Sequence, residues 1–219
     1  MIQAVNNRWA RRVFNPYLSF LMRRHFSRFH MVNALPEWDR KAGLVVTPNH
    51  YSWWDGFFVD FVMRRYTNRG IRLMMLERQL ARYSFFRYLG AFSINPDKPA
   101  SLLQAVRYTR KQIADPRLLT VIYPQGEIEP YDKRPPNVKK GLRLFLGDAP
   151  EHVQVLVAAT KIQYENERLP SVYFRSGALI PARNVVEDFR VFEHAFNENL
   201  DRLDEASRSA ASMQDLLAR

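Results

Sequence analysis

A histidine and an aspartate, five positions apart, directly follow the apolar run at residues 43–48. The pair is His50 and Asp55. Histidine exchanges a proton near neutral pH, and a carboxylate on its other ring nitrogen fixes the tautomer and stabilises the imidazolium. Such a pair can remove a proton from an alcohol with no metal and no thiol. The spacing by itself also suits a purely structural contact. Between the two, Trp53 and Trp54 are candidates to line an apolar slot beside the base, or to pack in the core.

A second candidate loop follows another strongly apolar run. Its residues are Tyr123, Pro124, Gln125, Gly126 and Glu127. A proline followed closely by a glycine predicts a tight turn, in which the backbone can approach a ligand. Most turns of this kind have no ligand, so this turn indicates a binding loop only in combination with other features.

The third candidate segment is Lys139, Lys140 and Gly141, at the start of a helix-like run. Lysines beside the free amides of a helix N-terminus attract anions. The alternative is a pair of solvated lysines. Together the three loops fit acyl transfer to an alcohol. His50 would take the hydroxyl proton, the oxygen would attack an activated acyl carbonyl, and amide donors would hold the oxyanion.

The composition predicts one globular domain with a basic surface. The chain has 219 residues, of which 47% are hydrophobic, enough to bury a core. It contains no cysteine, which excludes disulfides and thiolate metal sites, and we expect no metal. The net charge of +11 favours phosphates, in nucleic acid, in an anionic bilayer or in a phosphorylated substrate. Because no nucleic-acid motif is present, we expect a lipid surface as partner and no nucleic acid.

The first 31 residues have the pattern of two short amphipathic helices. Asn15 and Pro16 suit a bend or the start of the second helix. Arginines occupy the face opposite the apolar stripe, and no acid precedes Glu37. This pattern predicts helices in a bilayer interface; helices packed on their own domain, with a solvated basic face, are the other interpretation. The apolar residues at helical spacing are Trp9, Val13, Phe14, Tyr17, Leu18, Leu21, Met22, Phe26 and Phe29.

The sequence contains no segment that is expected to cross a membrane. No apolar run approaches the ~20 residues that span a bilayer. The N-terminus also lacks the continuous apolar core and the cleavage site of a signal peptide. We therefore expect a peripheral protein on the cytoplasmic face of the cell membrane.

From residue 43 onward, apolar strand-like runs alternate with helix-like runs, which predicts an α/β fold. The expected architecture is a mixed central sheet covered by helices. Residues 1–36 are expected to be the membrane-contact element, and residues 37–219 the α/β domain. The predicted strands are 44–47, 71–76, 91–95, 118–123, 153–159 and 172–174. The predicted helices are 53–66, 78–89, 100–113 and 138–146, with a closing helical region at 192–217.

These motifs resemble the blocks of the PlsC-like glycerolipid acyltransferases, the 1-acylglycerol-3-phosphate acyltransferases. The family's first block is Asn-His, four residues and Asp, which Asn49, His50 and Asp55 match. The second and third blocks are similar to residues 90–94 and 123–128, the Lys-Gly that follows matches residues 140–141, and the late apolar strand is similar to 155–158. The likeness covers roughly residues 40–182, and the family's amphipathic N-terminal helices also fit residues 1–31.

The resemblance implies an O-acyltransferase that moves an acyl chain from acyl-CoA or acyl carrier protein to a lipid hydroxyl. It implies no cofactor beyond that co-substrate. His50 would be the general base and Asp55 would orient it. Substrate binding is assigned to Asn49, Tyr123, Pro124, Gln125, Gly126, Glu127, Lys139, Lys140 and Gly141.

Several positions depart from the family pattern. The third block has Gln125 and Ile128 where the family has Glu and Arg, and Asn95 stands where the second block has Arg. Those family residues are associated with the acceptor's phosphate. Lysines are the candidate substitutes, as point charges without the forked geometry of arginine: Lys98, Lys139 and Lys140. Leu156 also replaces the usual proline of the late strand.

These departures leave the acceptor and the activity itself open. The acceptor is lysophosphatidic acid or another lipid hydroxyl, such as that of a lysophospholipid, a glycolipid or a lipid-linked sugar. The alternative is a non-catalytic relative that binds lipid or acyl carrier protein.

Overall fold

The predicted alternation of strands and helices forms one mixed sheet in the computed structural model, which describes residues 1–5, 7–147, 152–209 and 213–218. Within these residues the sheet has eight strands in the order β4-β3-β5-β2-β6-β7-β1-β8. The strands are β1 Phe29–Met31, β2 Gly43–Pro48, β3 Gly70–Leu76, β4 Ala91–Ile94, β5 Leu118–Val121, β6 Val153–Gln163, β7 Ser171–Pro181 and β8 Gln214–Asp215. The expected α/β class with a mixed sheet is confirmed.

Helices cover both faces of the sheet. They are α1 Arg8–His25, α2 Asp55–Tyr66, α3 Glu77–Arg82, α4 Pro99–Ile113, α5 Leu142–Leu146, α6 Ala182–Glu187 and α7 Phe189–Arg208. Side chains of a strand alternate between the two faces, so Leu44 and Val46 join one core cluster and Val45 the other. Helices α1 and α2 supply the first cluster, whereas α4 to α7 supply the second.

Five neighbouring strands are parallel, and this determines where the loops meet. β4, β3, β5, β2 and β6 run in one direction, and β7 returns antiparallel to β6. The carboxyl ends of β2, β3 and β5 therefore lie along one edge of the sheet. In α/β sheets ligands bind at this edge. β1, within the predicted membrane-contact element, pairs with β7, so residues 1–36 and 37–219 share one sheet.

The predicted start of a second helix at Asn15 and Pro16 is wrong, because a single helix, α1, runs through both positions. Its N-cap is Asn7, whose side chain accepts hydrogen bonds from two backbone amides of the first turn. Proline in a helix interior loses one backbone hydrogen bond. Packing of Phe14 and Leu18 in the core on either side of Pro16 offsets that loss.

Other elements also differ from the sequence pattern. The predicted helix at 78–89 is divided into α3 and a 3₁₀ helix at Ser84–Tyr88. The closing helical region contains α7 but ends in the short strand β8. Among the described residues, no helix has the length and apolar composition needed to cross a membrane.

Candidate active site

The His50 and Asp55 side chains are in contact at the sheet edge. His50 lies in the loop after β2, and Asp55 is the first residue of α2. Nδ1 of His50 lies 2.9 Å from Oδ2 of Asp55. Because the carboxylate only accepts, Nδ1 carries the hydrogen, and Nε2 is the nitrogen that can take a proton. The contact inferred from spacing is present in the fold.

Asp55 is fixed by more than the histidine. Its Oδ2 also accepts hydrogen bonds from the backbone amides of Tyr51, at 2.8 Å, and Ser52, at 2.9 Å. The Asp55 side chain is 0% exposed, whereas the His50 side chain is 19% exposed. Burial raises the pKa of Asp55 above its ordinary value, although the hydrogen bonds from His50, Ser52 and Tyr51 act in the opposite direction. The Asp55 carboxylate is thus buried, whereas the His50 imidazole remains partly accessible.

The Tyr123 ring stacks on the other side of the histidine. The ring centroids of His50 and Tyr123 lie 4.1 Å apart at an interplanar angle of 25°. The Tyr123 hydroxyl is buried and has no hydrogen-bond partner among the described residues. Burial, and then the nearby charge of Asp55, raise the pKa of Tyr123 well above its ordinary value. Tyr123 therefore stays neutral beside the imidazole.

A cavity of about 830 Å³ opens beside the histidine. His50, Tyr123 and Trp53 line it near the sheet edge. Ile71, near the start of β3, and Leu89, just before β4, also line it. The volume is that of an ordinary ligand site, and the walls are mainly apolar. Trp53 thus lines the predicted apolar slot, whereas Trp54 packs against Phe26 and Phe58 in the core.

Comparison with known proteins identifies the family of the chain. The family model for acyltransferases matches residues 27–153, more than half of the chain. The chain belongs to the acyltransferase family. The fold is also similar to the crystal structure of the 1-acyl-sn-glycerophosphate (LPA) acyltransferase PlsC from Thermotoga maritima. That likeness has a TM-score of 0.64 at 12% identity and covers 90% of this chain and 81% of the other. No curated protein sequence matches. The predicted membership in the PlsC-like acyltransferases is confirmed.

Within this acyltransferase, the residues predicted to bind substrate divide into two groups. Tyr123, Gly126 and Glu127 line the cavity together with His50. The others do not line it: Asn49, Pro124, Gln125, Lys139, Lys140 and Gly141. Their binding to substrate stays a prediction, and four of them contact residues at or next to the cavity wall: Asn49, Pro124, Gln125 and Lys139.

Asn49 of the acyltransferase connects two strands. Its side-chain nitrogen donates to the Thr160 carbonyl at 3.0 Å, and its oxygen accepts from the Thr160 amide at 2.8 Å. This pairing holds the end of β2 against β6, just before His50. Both polar atoms of the buried carboxamide have partners in the protein, which gives the asparagine a structural role at this position.

The turn at 123–126 and the lysine segment pack on each other. Gly126 has φ of 75°, which favours glycine, and a side chain there would press on Lys139. The Lys139 amide donates to the Pro124 carbonyl at 2.9 Å, and its ammonium lies 3.1 Å from Glu127. The Gly126 amide donates to the Tyr123 carbonyl. This amide is therefore not free to hold an oxyanion, and Lys139 is a partner of the turn.

Two arginines that the sequence interpretation overlooked do line the cavity. Arg78 and Arg82 lie one helical turn apart on α3, so they share a face. Among the described residues neither forms an ion pair, and the Arg82 guanidinium lies over the Tyr83 ring. The sequence pattern that could have identified them is a pair of arginines four positions apart after an apolar strand. Their relation to His50 depends on the strand order β3-β5-β2, which the pattern does not specify.

Proposed function

We propose that this acyltransferase transfers an acyl chain from a thioester donor, acyl-CoA or acyl carrier protein, to the hydroxyl of a lysolipid or related lipid. The observation that carries the proposal is the His50 and Asp55 pair, in which His50 lines a large, mainly apolar cavity. The family fixes the reaction class, and the cavity fits a lipid chain. The donor, the acceptor and the roles of individual residues belong to the proposal.

The proposed reaction begins with His50. Nε2 accepts the proton of the acceptor hydroxyl while the oxygen attacks the thioester carbonyl. The carbon–sulfur bond of the resulting tetrahedral intermediate then breaks. The thiolate takes the proton from the imidazolium, and an ester and a free thiol leave the site. Asp55 holds Nδ1 and balances the positive charge that forms on the ring. General-base catalysis of this kind contributes a factor of about 10²–10⁴ to the rate.

The exposed arginines of α3 give the proposal a subsite for an anion. Arg78 and Arg82 lie on the cavity wall, and guanidinium groups bind phosphate through paired hydrogen bonds. Ile128, where the family has arginine, also lines the cavity. We therefore infer that the phosphate of an acceptor, or of the donor, contacts α3. The lysines expected from the sequence, Lys98, Lys139 and Lys140, do not line the cavity.

The outer face of α1 supports attachment to a membrane surface. Phe14, Leu18 and Met22 are buried against the domain. A second apolar row on the same helix is exposed, comprising Trp9, Val13, Tyr17 and Phe20. With the arginines of α1 beside it, this row has the composition of an interfacial helix. The proposed location is the cytoplasmic face of the cell membrane.

An acyl-transfer assay with paired variants tests the proposed function. Radiolabelled acyl-CoA and acyl carrier protein are offered with lysophosphatidic acid, other lysophospholipids and glycolipids. We expect His50→Ala to lose about 10²–10⁴ of the rate and Asp55→Asn to lose a large part of it. The control is His194→Ala, an exposed histidine on α7. Near-normal turnover by His50→Ala contradicts the mechanism, and lipid binding without turnover by the wild type supports the non-catalytic alternative.

A further inference from the structure

A buried carboxamide and a buried carboxylate hold the main chain of His50. Gln125 is 3% exposed and Glu129 is 6% exposed. The His50 amide donates to Oε1 of Gln125 at 2.6 Å, and the Glu129 amide donates to the His50 carbonyl at 3.0 Å. Both peptide groups of the histidine are thus bonded to the loop between β5 and α5.

The two side chains are also bonded to each other. Nε2 of Gln125 donates to Oε2 of Glu129 at 3.0 Å. The orientation of the carboxamide is fixed, because one neighbour is an amide that only donates and the other a carboxylate that only accepts. Glu129 further accepts from the Asn137 amide at 3.0 Å and from the Lys133 ammonium. Every polar atom of this pair has a partner.

This arrangement explains why the chain departs from the family pattern at position 125. A glutamate there would place a second carboxylate against Glu129. Two carboxylates that share a site cannot both ionise without a large cost. The glutamine accepts from the His50 amide as a glutamate would, and it supplies the donor that Glu129 needs. The departure is thus matched to a second residue of the same loop.

We propose that Gln125 and Glu129 are positioning residues that act as one unit, fixing the peptide groups of His50 so that its ring is presented to the cavity. This inference rests on the proposed role of His50 as the base. Neither residue lines the cavity. Their effect is therefore on the rate of the chemical step and not on substrate affinity.

The first test restores the family residue with Gln125→Glu. We expect kcat at pH 8 to fall by about 10–100-fold with little change in KM, because a small misplacement of the base is enough. At pH 6 one of the two carboxylates can be protonated and can donate a hydrogen bond to the other. The loss of kcat relative to the wild type therefore becomes smaller. The titratable groups around this position are His50, Glu129 and Lys133, with Lys139 and Glu127 at the turn.

A second variant tests whether Gln125 and Glu129 act as a pair or independently. Gln125→Glu combined with Glu129→Gln again places one amide opposite one carboxylate, although the Asn137 amide loses its charged acceptor. We expect kcat of the double variant to be about tenfold higher than that of Gln125→Glu, and this gain to be larger at pH 8 than at pH 6. The control is Gln112→Glu, because Oε1 of Gln112 accepts from Nε of Arg72 at 3.0 Å and a glutamate there would lie against a guanidinium. We expect kcat of this control to stay normal at both pH values.

Thermal unfolding tests the pairing of Gln125 and Glu129 without an acyl-transfer assay. Gln125→Glu is expected to lower Tm by several degrees at pH 8, less at pH 6, and the double variant to recover part of the loss. These Tm values test the pairing even if no acyl transfer is found. A Gln125→Glu protein with normal Tm and normal kcat at pH 8 overturns the proposal. So does a raised KM with normal kcat, since Gln125 would then contact substrate, or a pH-independent loss that the second substitution does not reduce.

Discussion

Arg11 of α1 and Asp60 of α2 form an ion pair within the wall of the cavity. The guanidinium of Arg11 also donates to the carbonyl of Leu89, just before β4. Asp60 lies more than one helical turn beyond Asp55, and Leu89 precedes the start of β4, so this pair is at the end of the cavity away from His50. It joins α1, α2 and the segment before β4 at one part of a mainly apolar cavity.

The ion pair is expected to limit the length of the acyl chain. Arg11→Ala combined with Asp60→Ala removes both charges together and extends the apolar space. We expect the preference to move to longer acyl donors, with kcat/KM rising about fourfold for each additional methylene that becomes buried, since a buried methylene contributes about 0.8 kcal/mol. The measurement is kcat/KM over a series of acyl-CoA chain lengths.

The matched control for that prediction is Arg64→Met. Nε of Arg64 lies 2.8 Å from Oδ2 of Asp60, but Arg64 does not line the cavity. This variant weakens the same cluster without lengthening the space, so its chain-length profile should match the wild type. An unchanged profile in the double alanine variant would show that the cavity does not end at the ion pair.

The buried hydroxyl of Tyr123 predicts an unusual effect on stability. It has no partner among the described residues, and a buried polar group without a hydrogen bond costs about 1–3 kcal/mol. Tyr123→Phe keeps the stack on His50 and removes this cost, so Tm should be unchanged or higher. The comparison is Tyr131→Phe, because the Tyr131 hydroxyl donates to Asp204 at 2.8 Å and its loss should lower Tm. A larger drop for Tyr123→Phe would reveal a hydrogen bond of that hydroxyl.

Glu129 should contribute a pH-dependent part of the stability. Burial alone would raise the pKa of Glu129, but hydrogen bonds from Lys133, Gln125 and Asn137 bring it below its ordinary value. A lowered pKa adds stability that is present above the unfolded value of about 4.3 and is lost as pH falls through the lower folded value. Glu129→Gln should therefore have a lower Tm than wild type at pH 7, and the difference should narrow below pH 4.

An exposed glutamate supplies the control for this titration. Glu167 lies on the surface, 4.0 Å from Arg28, and such pairs contribute little. Glu167→Gln is expected to follow the wild-type Tm at every pH. A difference between Glu129→Gln and wild type that stays constant from pH 7 to pH 3.5 would mean that the effect is not linked to ionisation of the carboxylate.

The sequence was sufficient to locate six of the eight strands, β2 to β7, and to predict the His50 and Asp55 contact. Apolar runs identify buried strands directly, and the fixed spacing of the two residues spans one short loop and a helix start. It was insufficient for β1 and β8, which have three and two residues and no periodicity to detect. Their pairing depends on partners far along the chain.

The errors at α1 and α3 have physical causes as well. Local propensity opposes proline in a helix and so predicts a second helix at Pro16, but packing of Phe14 and Leu18 outweighs one lost hydrogen bond. Arg78 and Arg82 were overlooked because their approach to His50 requires β3 and β2 to lie on either side of β5. Strand order is set by long-range packing, and periodicity carries no information about it.

The exposed apolar row of α1 should determine binding to anionic vesicles. We expect Trp9→Ser combined with Val13→Ser and Phe20→Ser to lower the partition coefficient at least about tenfold, because the inserted apolar area is lost. The binding of the wild type should persist in part at high salt, which screens arginines but not apolar insertion. The control is Leu103→Ser with Val191→Ser, two exposed apolar residues on helices of the opposite face. Equal losses in both variants would exclude α1 as the membrane-contact surface.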